Sequence, residues 1–204
     1  MAGNTEPSGL IVGVLALQGD FREHLNVLSS LGADARAVRR PEDLAAVQGL
    51  VIPGGESSVI DKLSRMFGIA EPVKAAVARG LPTYGTCAGL IMLADTVVDA
   101  IAGQESFGGL DIEVRRNAFG SQAESFETEL AIPVIGRTPL HAVFIRAPVV
   151  TKLGPRARSL ANLADGRVVA VEQDNLIGTS FHPEMTADHR IHRYFLERVA
   201  IVGF

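Results

Sequence analysis

Leu10-Ile11-Val12-Gly13-Val14-Leu15-Ala16-Leu17 is an unbroken apolar run, and it limits what the rest of the chain can become. A strand with one face in water alternates polar and apolar side chains, whereas a run with no polar member must be covered on both faces. Such a strand needs helices above and below its sheet, and the following residues supply one. Phe21, Leu25, Leu28 and Leu31 recur at helical spacing. Asp20 stands where an N-cap would, Glu23 takes the capping-box position, and Gly32 sits at the C′ stop. The pattern then repeats, with Asp34 to Val38 and Leu50 to Ile52 as further strands. Ser57 or Ser58 is placed to cap a helix carrying Ile60, Leu63 and Phe67, and Glu71 to Arg79 forms another helix closed by Gly80. Strands alternating with helices in this way predict an α/β fold with a largely parallel sheet.

After about residue 95 the rhythm changes. Ala102 to Gly109 is loop-like. Leu110 to Val114, Phe126 to Ile132, Ala142 to Ile145, Arg158 to Leu163, Val168 to Glu172 and Leu176 to Ser180 read as strands. Asp165-Gly166 and Asp174-Asn175 are hairpin-type turns, so this half is expected to be strand-rich and partly antiparallel. Ala187 to Val199 closes the chain as a helix with Ile191, Phe195, Leu196 and Val199 on one side. No linker interrupts the pattern. Residues 10–204 are therefore expected to form one domain, preceded by a loose polar tail over residues 1–9. A chain that is 47% hydrophobic and 21% charged can bury a core, and a net charge of −4 argues against a nucleic-acid partner. No apolar run reaches membrane-spanning length, and no signal peptide is read at the start. The single cysteine excludes an internal disulfide and suits a reducing, cytoplasmic setting.

That cysteine lies in Gly85-Thr86-Cys87-Ala88-Gly89, between Gly80-Leu81-Pro82-Thr83-Tyr84, which reads as a turn feeding a short buried strand, and the apolar, helix-compatible Leu90 to Ala94. Strand, tight turn and helix with a nucleophile at the apex is the geometry of a nucleophile elbow, and glycine lets such a crowded turn close. A lone cysteine is more often a small buried hydrophobe, so the remaining strand ends carry the decision. His182-Pro183-Glu184 follows the last strand and pairs a base with a carboxylate able to orient it. Pro53-Gly54-Gly55-Glu56-Ser57 follows the third strand, where Gly54-Gly55 could turn an N–H toward an oxyanion. The N–H of Ala88, the residue after the nucleophile, would be the second donor. Open α/β sheets place their sites at these ends. His24, His141, His189 and His192 read as structural or solvated, with no metal-ligand spacing among them. No phosphate-binding glycine motif stands between a strand and a helix, so neither metal nor cofactor is expected.

These three motifs together resemble the class I (triad) glutamine amidotransferases. More narrowly, the chain resembles the glutaminase subunits of pyridoxal 5'-phosphate synthase. The narrower resemblance rests on Leu17-Gln18-Gly19 with Arg22-Glu23-His24, on Arg116-Asn117 with Phe119-Gly120 and Gln122, and on Phe144-Ile145-Arg146-Ala147-Pro148. It implies a flavodoxin-like three-layer fold and hydrolysis of the glutamine side-chain amide. Cys87 would attack, His182 and Glu184 would complete the triad, and Gly55 and Ala88 would form the oxyanion hole. Gly54, Gly55, Glu56, Arg116, Ile145 and Arg146 match positions that contact glutamine, while Asp20 to His24 would lie near a partner. The resemblance also implies that ammonia passes to a (β/α)8-barrel synthase subunit in an assembly of twelve synthase and twelve glutaminase subunits. Activity gated by a flip of the Gly54-Gly55 peptide would follow from the flexibility of that pair. The alternatives are the amidotransferase subunit of another pathway, such as histidine biosynthesis, a cysteine hydrolase of similar fold, or a binding subunit with a vestigial site.

Overall fold

The computed structural model describes residues 9–116 and 125–204. Residues 1–8 of the expected tail (1–9), and Asn117, Phe119, Gly120 and Gln122, lie outside the described residues. In chain order the first half contains β1 (Ile11–Leu15), α1 (Phe21–Ser30), β2 (Asp34–Val38), α2 (Pro41–Leu44), β3 (Gly49–Ile52), α3 (Ser57–Met66), α4 (Ala70–Ala78), β4 (Thr83–Thr86) and α5 (Ala88–Leu93). The second half contains β5 (Ala94–Val98), β6 (Leu110–Arg115), β7 (Ser125–Leu130), β8 (Leu140–Ile145), β9 (Val149–Leu153), β10 (Arg158–Asn162), β11 (Val168–Gln173), β12 (Leu176–Thr179) and α6 (Arg190–Val202).

One ten-stranded sheet runs in the order β2-β1-β3-β4-β12-β11-β9-β6-β5, with β10 paired to β11. From β2 to β12 every neighbour is parallel, as the continuous apolar runs require. Beyond β12 the pairings turn antiparallel, apart from β5 beside β6. β7 and β8 form a separate antiparallel hairpin. The alternation of side chains explains the layers. Leu50 and Ile52 join α3, α4 and α5 through Ile60, Val73 and Leu90, whereas Val51 between them joins α1 and α6 through Leu28, Phe195 and Val199. All these side chains are buried. The sheet is thus covered on both faces, and β12, from the end of the chain, sits beside β4, from its first half.

Several local expectations are corrected. Asp20 makes no side-chain cap to α1, because its carboxylate is turned instead toward His182, 3.6 Å away. Neither serine caps α3: its N-cap is Glu56, and Ser57 is already helical and accepts a hydrogen bond from Gln104 at 3.0 Å. The helix-compatible run from Leu90 stops at Leu93, since Ala94 starts β5 and pairs with Leu110. Strand β9 and the short α2 were not read from the sequence. Gly32 and Gly80 do end their helices, at φ 87° and 95°, a left-handed conformation that side chains resist.

Candidate active site

Strands β1, β3, β4 and β12 are neighbours, so the loops at their C-terminal ends lie side by side. β4 ends at Thr86, and Cys87 takes φ 49° and ψ −103° before α5 begins at Ala88. This backbone conformation is costly for a residue with a side chain, on the order of 1–3 kcal/mol, and persists only where the surroundings enforce it. Here they do. The Cys87 N–H donates to the Thr179 carbonyl at 2.7 Å, tying the turn to β12. A Cβ at Gly89 would lie 2.0 Å from the Ile52 carbonyl oxygen, and one at Gly85 would lie 2.4 Å from the Gly89 oxygen. Only glycine on each side lets the turn close against β3.

The loop after β12 brings His182 and Glu184 to the cysteine. The His182 N–H donates to the Val143 carbonyl at 2.9 Å, fastening this loop to the hairpin. His182 Nδ1 lies 2.7 Å from Glu184 Oε1 in a buried contact, and the imidazole lies close enough to Cys87 to interact with its sulfur. Burial alone would push His182 down, but the interaction with Cys87, followed by that with Glu184, outweighs it and holds the pKa up at about 10. Burial raises Glu184, and the contact with His182 opposes that rise. A thiol, an imidazole and a buried carboxylate are thus brought together, the set of groups that a nucleophile, its base and the orienter of that base require.

A cavity of about 310 Å³ opens above the sulfur, lined by Gln18, Asp20, Gly55, Glu56, Cys87, Ile145, Arg146 and His182. This is at the small end of the range for small-molecule sites, about 300–1,000 Å³. The Ile145 carbonyl oxygen lies 3.9 Å from Cys87 Sγ, and Arg146 holds φ 43° at the end of β8. Arg116 reaches Glu56 across the rim in a short ion pair, and its Nη1 donates to Gln104 Oε1 at 3.0 Å. Gly54 lies against the imidazole, where a Cβ would come within 2.5 Å of His182 Cε1. Its carbonyl accepts the Asp20 N–H at 3.2 Å, so the Gly55 N–H of the same trans peptide faces the opposite way. Glu56 N–H donates to Gln18 Oε1 at 2.8 Å. Ala88, directly after the cysteine, is buried at the N-terminus of α5.

Cys87, Ala88, His182, Glu184, Gly54, Gly55, Glu56, Arg116, Ile145 and Arg146 thus gather at this end of the sheet. Sequence reasoning missed Gln18 and Asp20 as parts of the cavity wall. Their signal was position: they follow β1 as Gly54 follows β3. Gln104, from the loop before β6, was also missed. Among the described residues, Asp20, His182 and Glu184 form the one group spaced for a metal ion, with ligand atoms within 4.8 Å of one another. His182 Nδ1 is already held by Glu184 there, and its other face meets the thiol. A larger, more open recess of about 770 Å³ lies at the start of α6 and has no cysteine or serine in its lining. Its Arg190 is committed to Asp188 and to the Thr138 and Pro139 carbonyls.

Residues 14–201 match the model of the SNO glutamine amidotransferase family. A relative from Leifsonia xyli, named pyridoxal 5'-phosphate synthase subunit PdxT, is 70% identical over 188 residues, covering 92% of this chain and 95% of that one. A protein of the same name from Clavibacter sepedonicus is 64% identical and covers 100% of this chain and 99% of its own. A crystal structure of a glutamine amidotransferase superposes with a TM-score of 0.87 at 48% identity, covering 93% of this chain and 98% of that one. A putative GMP synthase subunit from Thermoplasma acidophilum, 19% identical with a TM-score of 0.66 and 96% coverage of each chain, shares the fold.

Proposed function

The chain belongs to the SNO glutamine amidotransferase family, and on that premise we propose that it is the glutaminase subunit of a pyridoxal 5'-phosphate synthase. It hydrolyses L-glutamine to L-glutamate and ammonia and hands the ammonia to its synthase partner. The observation that carries the chemistry is the buried grouping of Cys87, His182 and Glu184 at the floor of the cavity. The names of the relatives do not favour the histidine-biosynthesis alternative.

In this reading Cys87 Sγ, as thiolate, adds to the side-chain amide carbon of glutamine. The oxyanion receives the N–H groups of Gly55 and Ala88, and Ala88 is suited because the first N–H groups of a helix have no partner within it. His182 gives its proton to the departing nitrogen, the C–N bond breaks, and ammonia leaves a thioester on Cys87. Water then attacks that thioester, His182 takes its proton, the C–S bond breaks, and glutamate departs as the thiolate is restored beside the protonated His182. Glu184 holds the imidazole in its tautomer throughout. Arg116 and Glu56 bind the α-carboxylate and α-ammonium, exchanging their mutual ion pair for the two ends of the substrate. Gly54, Ile145 and Arg146 complete the wall.

We read residues 10–204 as one domain, an assignment supported by a sheet that takes strands from both halves of the chain. The partner is read as a (β/α)8-barrel synthase, with twelve subunits of each kind in a cytoplasmic assembly. Among the described residues no helix is long and apolar enough to cross a membrane. Ammonia release is to be measured for the chain alone, with the synthase subunit, and for Cys87→Ala in the complex. Release by the complex but not by the variant is expected. Equal release by Cys87→Ala would refute the mechanism, and full turnover by the isolated chain would refute gating by the partner.

A further inference from the structure

Below the triad lies a buried polar chain that the reaction as written does not use. His24 of α1 and His192 of α6 are both fully buried. His24 Nδ1 meets His192 Nε2 at 3.0 Å, and His24 Nε2 lies 3.1 Å from Thr86 Oγ1 and 3.5 Å from Glu184 Oε2. Among the described residues, Glu184 Oε2 has no hydrogen-bond partner beyond this long 3.5 Å contact, and His192 Nδ1 has none. Burial keeps both histidines neutral, so each carries one N–H.

The orphaned His192 Nδ1 sets the direction of the chain. If His24 donated from Nδ1, His192 would have to carry its proton on Nδ1, leaving a buried N–H without an acceptor. The opposite order leaves only a lone pair unmatched. It also removes the clash of a His24 lone pair with the carboxylate. His192 Nε2–H therefore donates to His24 Nδ1, and His24 Nε2–H is directed at Thr86 Oγ1 and Glu184 Oε2. We propose that His24 is a positioning residue for the triad, its Nε2–H steadying the free carboxylate oxygen of Glu184, with His192 fixing the tautomer that presents it. This rests on the reading of Cys87, His182 and Glu184 as the catalytic triad.

The test compares His24→Gln, whose amide nitrogen reaches the position of Nε2, with His24→Asn, which reaches only that of Nδ1, and with His24→Leu. Each full-length variant is assayed with the synthase subunit for kcat and KM, and Cys87 is alkylated with iodoacetamide across pH. Besides His24, the titratable groups facing Glu184 are His182, Asp20 and Tyr84; those facing His24 are His192 and His182; and His189 faces His192. All stay in place. Without the N–H, Glu184 takes up a proton more readily, His182 loses its anionic neighbour, and the thiolate forms at higher pH. Asn and Leu are expected to lose about ten- to hundredfold in kcat, as for one hydrogen bond to a charged group, with little change in KM. Their alkylation midpoint should rise by about one pH unit while Gln stays near wild type. Wild-type kcat and midpoint in a folded Asn or Leu variant would overturn the proposal, as would a Gln variant no better than Leu. Should Leu not fold, the Asn and Gln pair decides. If the wild-type complex released no ammonia from glutamine, the function proposed above would fail, and the alkylation midpoints would still test His24.

Discussion

Gly54→Ala isolates one contact. Gly54 does not occupy the left-handed region, so its backbone accepts alanine without strain. The added methyl would lie 2.5 Å from His182 Cε1, 3.0 Å from Nδ1 and 3.1 Å from Asp20 Oδ2, where ordinary contact begins at 3.4 Å. Glu184 holds the imidazole through Nδ1 at 2.7 Å, so the ring cannot move aside without disturbing that hydrogen bond. Relief requires a shift of about 0.9 Å in the ring or the loop. A misplacement of about 1 Å in a catalytic group lowers turnover about 10²-fold, whereas overpacking a buried site costs about 1–3 kcal/mol of stability. The variant should therefore fold, bind its partner, and release ammonia about a hundredfold more slowly than wild type in a coupled glutamate dehydrogenase assay. A folded Gly54→Ala complex within threefold of the wild-type kcat, a loss of only about 0.7 kcal/mol in barrier terms, would show that the imidazole is not confined as described.

Cys87→Ala should abolish ammonia release while leaving the unfolding midpoint and partner docking near wild type, read by calorimetry and gel filtration. Arg116→Ala should raise KM for glutamine more than it lowers kcat, as the proposed binding role of its guanidinium requires; a changed kcat with constant KM would contradict that role. His24 is held well below its ordinary value by burial and by His192, and His192 is pushed down to about 3 by burial and His189. Unfolding returns both to about 6.5. Their contribution is thus fully present above pH 6.5 and is lost as pH falls from there toward 3. Urea denaturation across that range should show stability falling with acidity, and His192→Phe should flatten the slope. An unchanged slope would mean that the buried pair does not control acid unfolding.

The strands that could be read from the sequence were those buried on both faces. β1 and β3 carry no polar side chain, and their apolar runs announced the parallel core. β4 was harder: Thr83 and Thr86 are fully buried, and their hydroxyls are satisfied by the Leu81 carbonyl and by His24, partners far from obvious in sequence. The expected strand consequently stopped at Tyr84, short of the observed Thr86. β5 follows α5 without a turn residue and is half exposed, so nothing local separated the two. At the site, each strand-end motif was visible because glycine, cysteine and histidine stand out against apolar surroundings. Asp20 was read as a cap because composition around a helix start is ambiguous between a cap and a cavity wall. His24 read as structural or solvated because its neighbours, His192 and Glu184, are brought to it only by the sheet. His141 lies between Glu127 and Glu129 on the exposed hairpin, as its polar surroundings suggested.

Thr86 and Thr179 are register partners on adjacent strands, although more than 90 residues separate them. During synthesis β4 is completed long before β12 leaves the ribosome. Until then it is an edge strand, and its thiol has neither His182 nor Glu184 beside it. A chain interrupted or clipped before Leu176 therefore holds an inert cysteine, and glutamine is spared from any copy whose final segment, from Leu176 onward, has not joined the sheet.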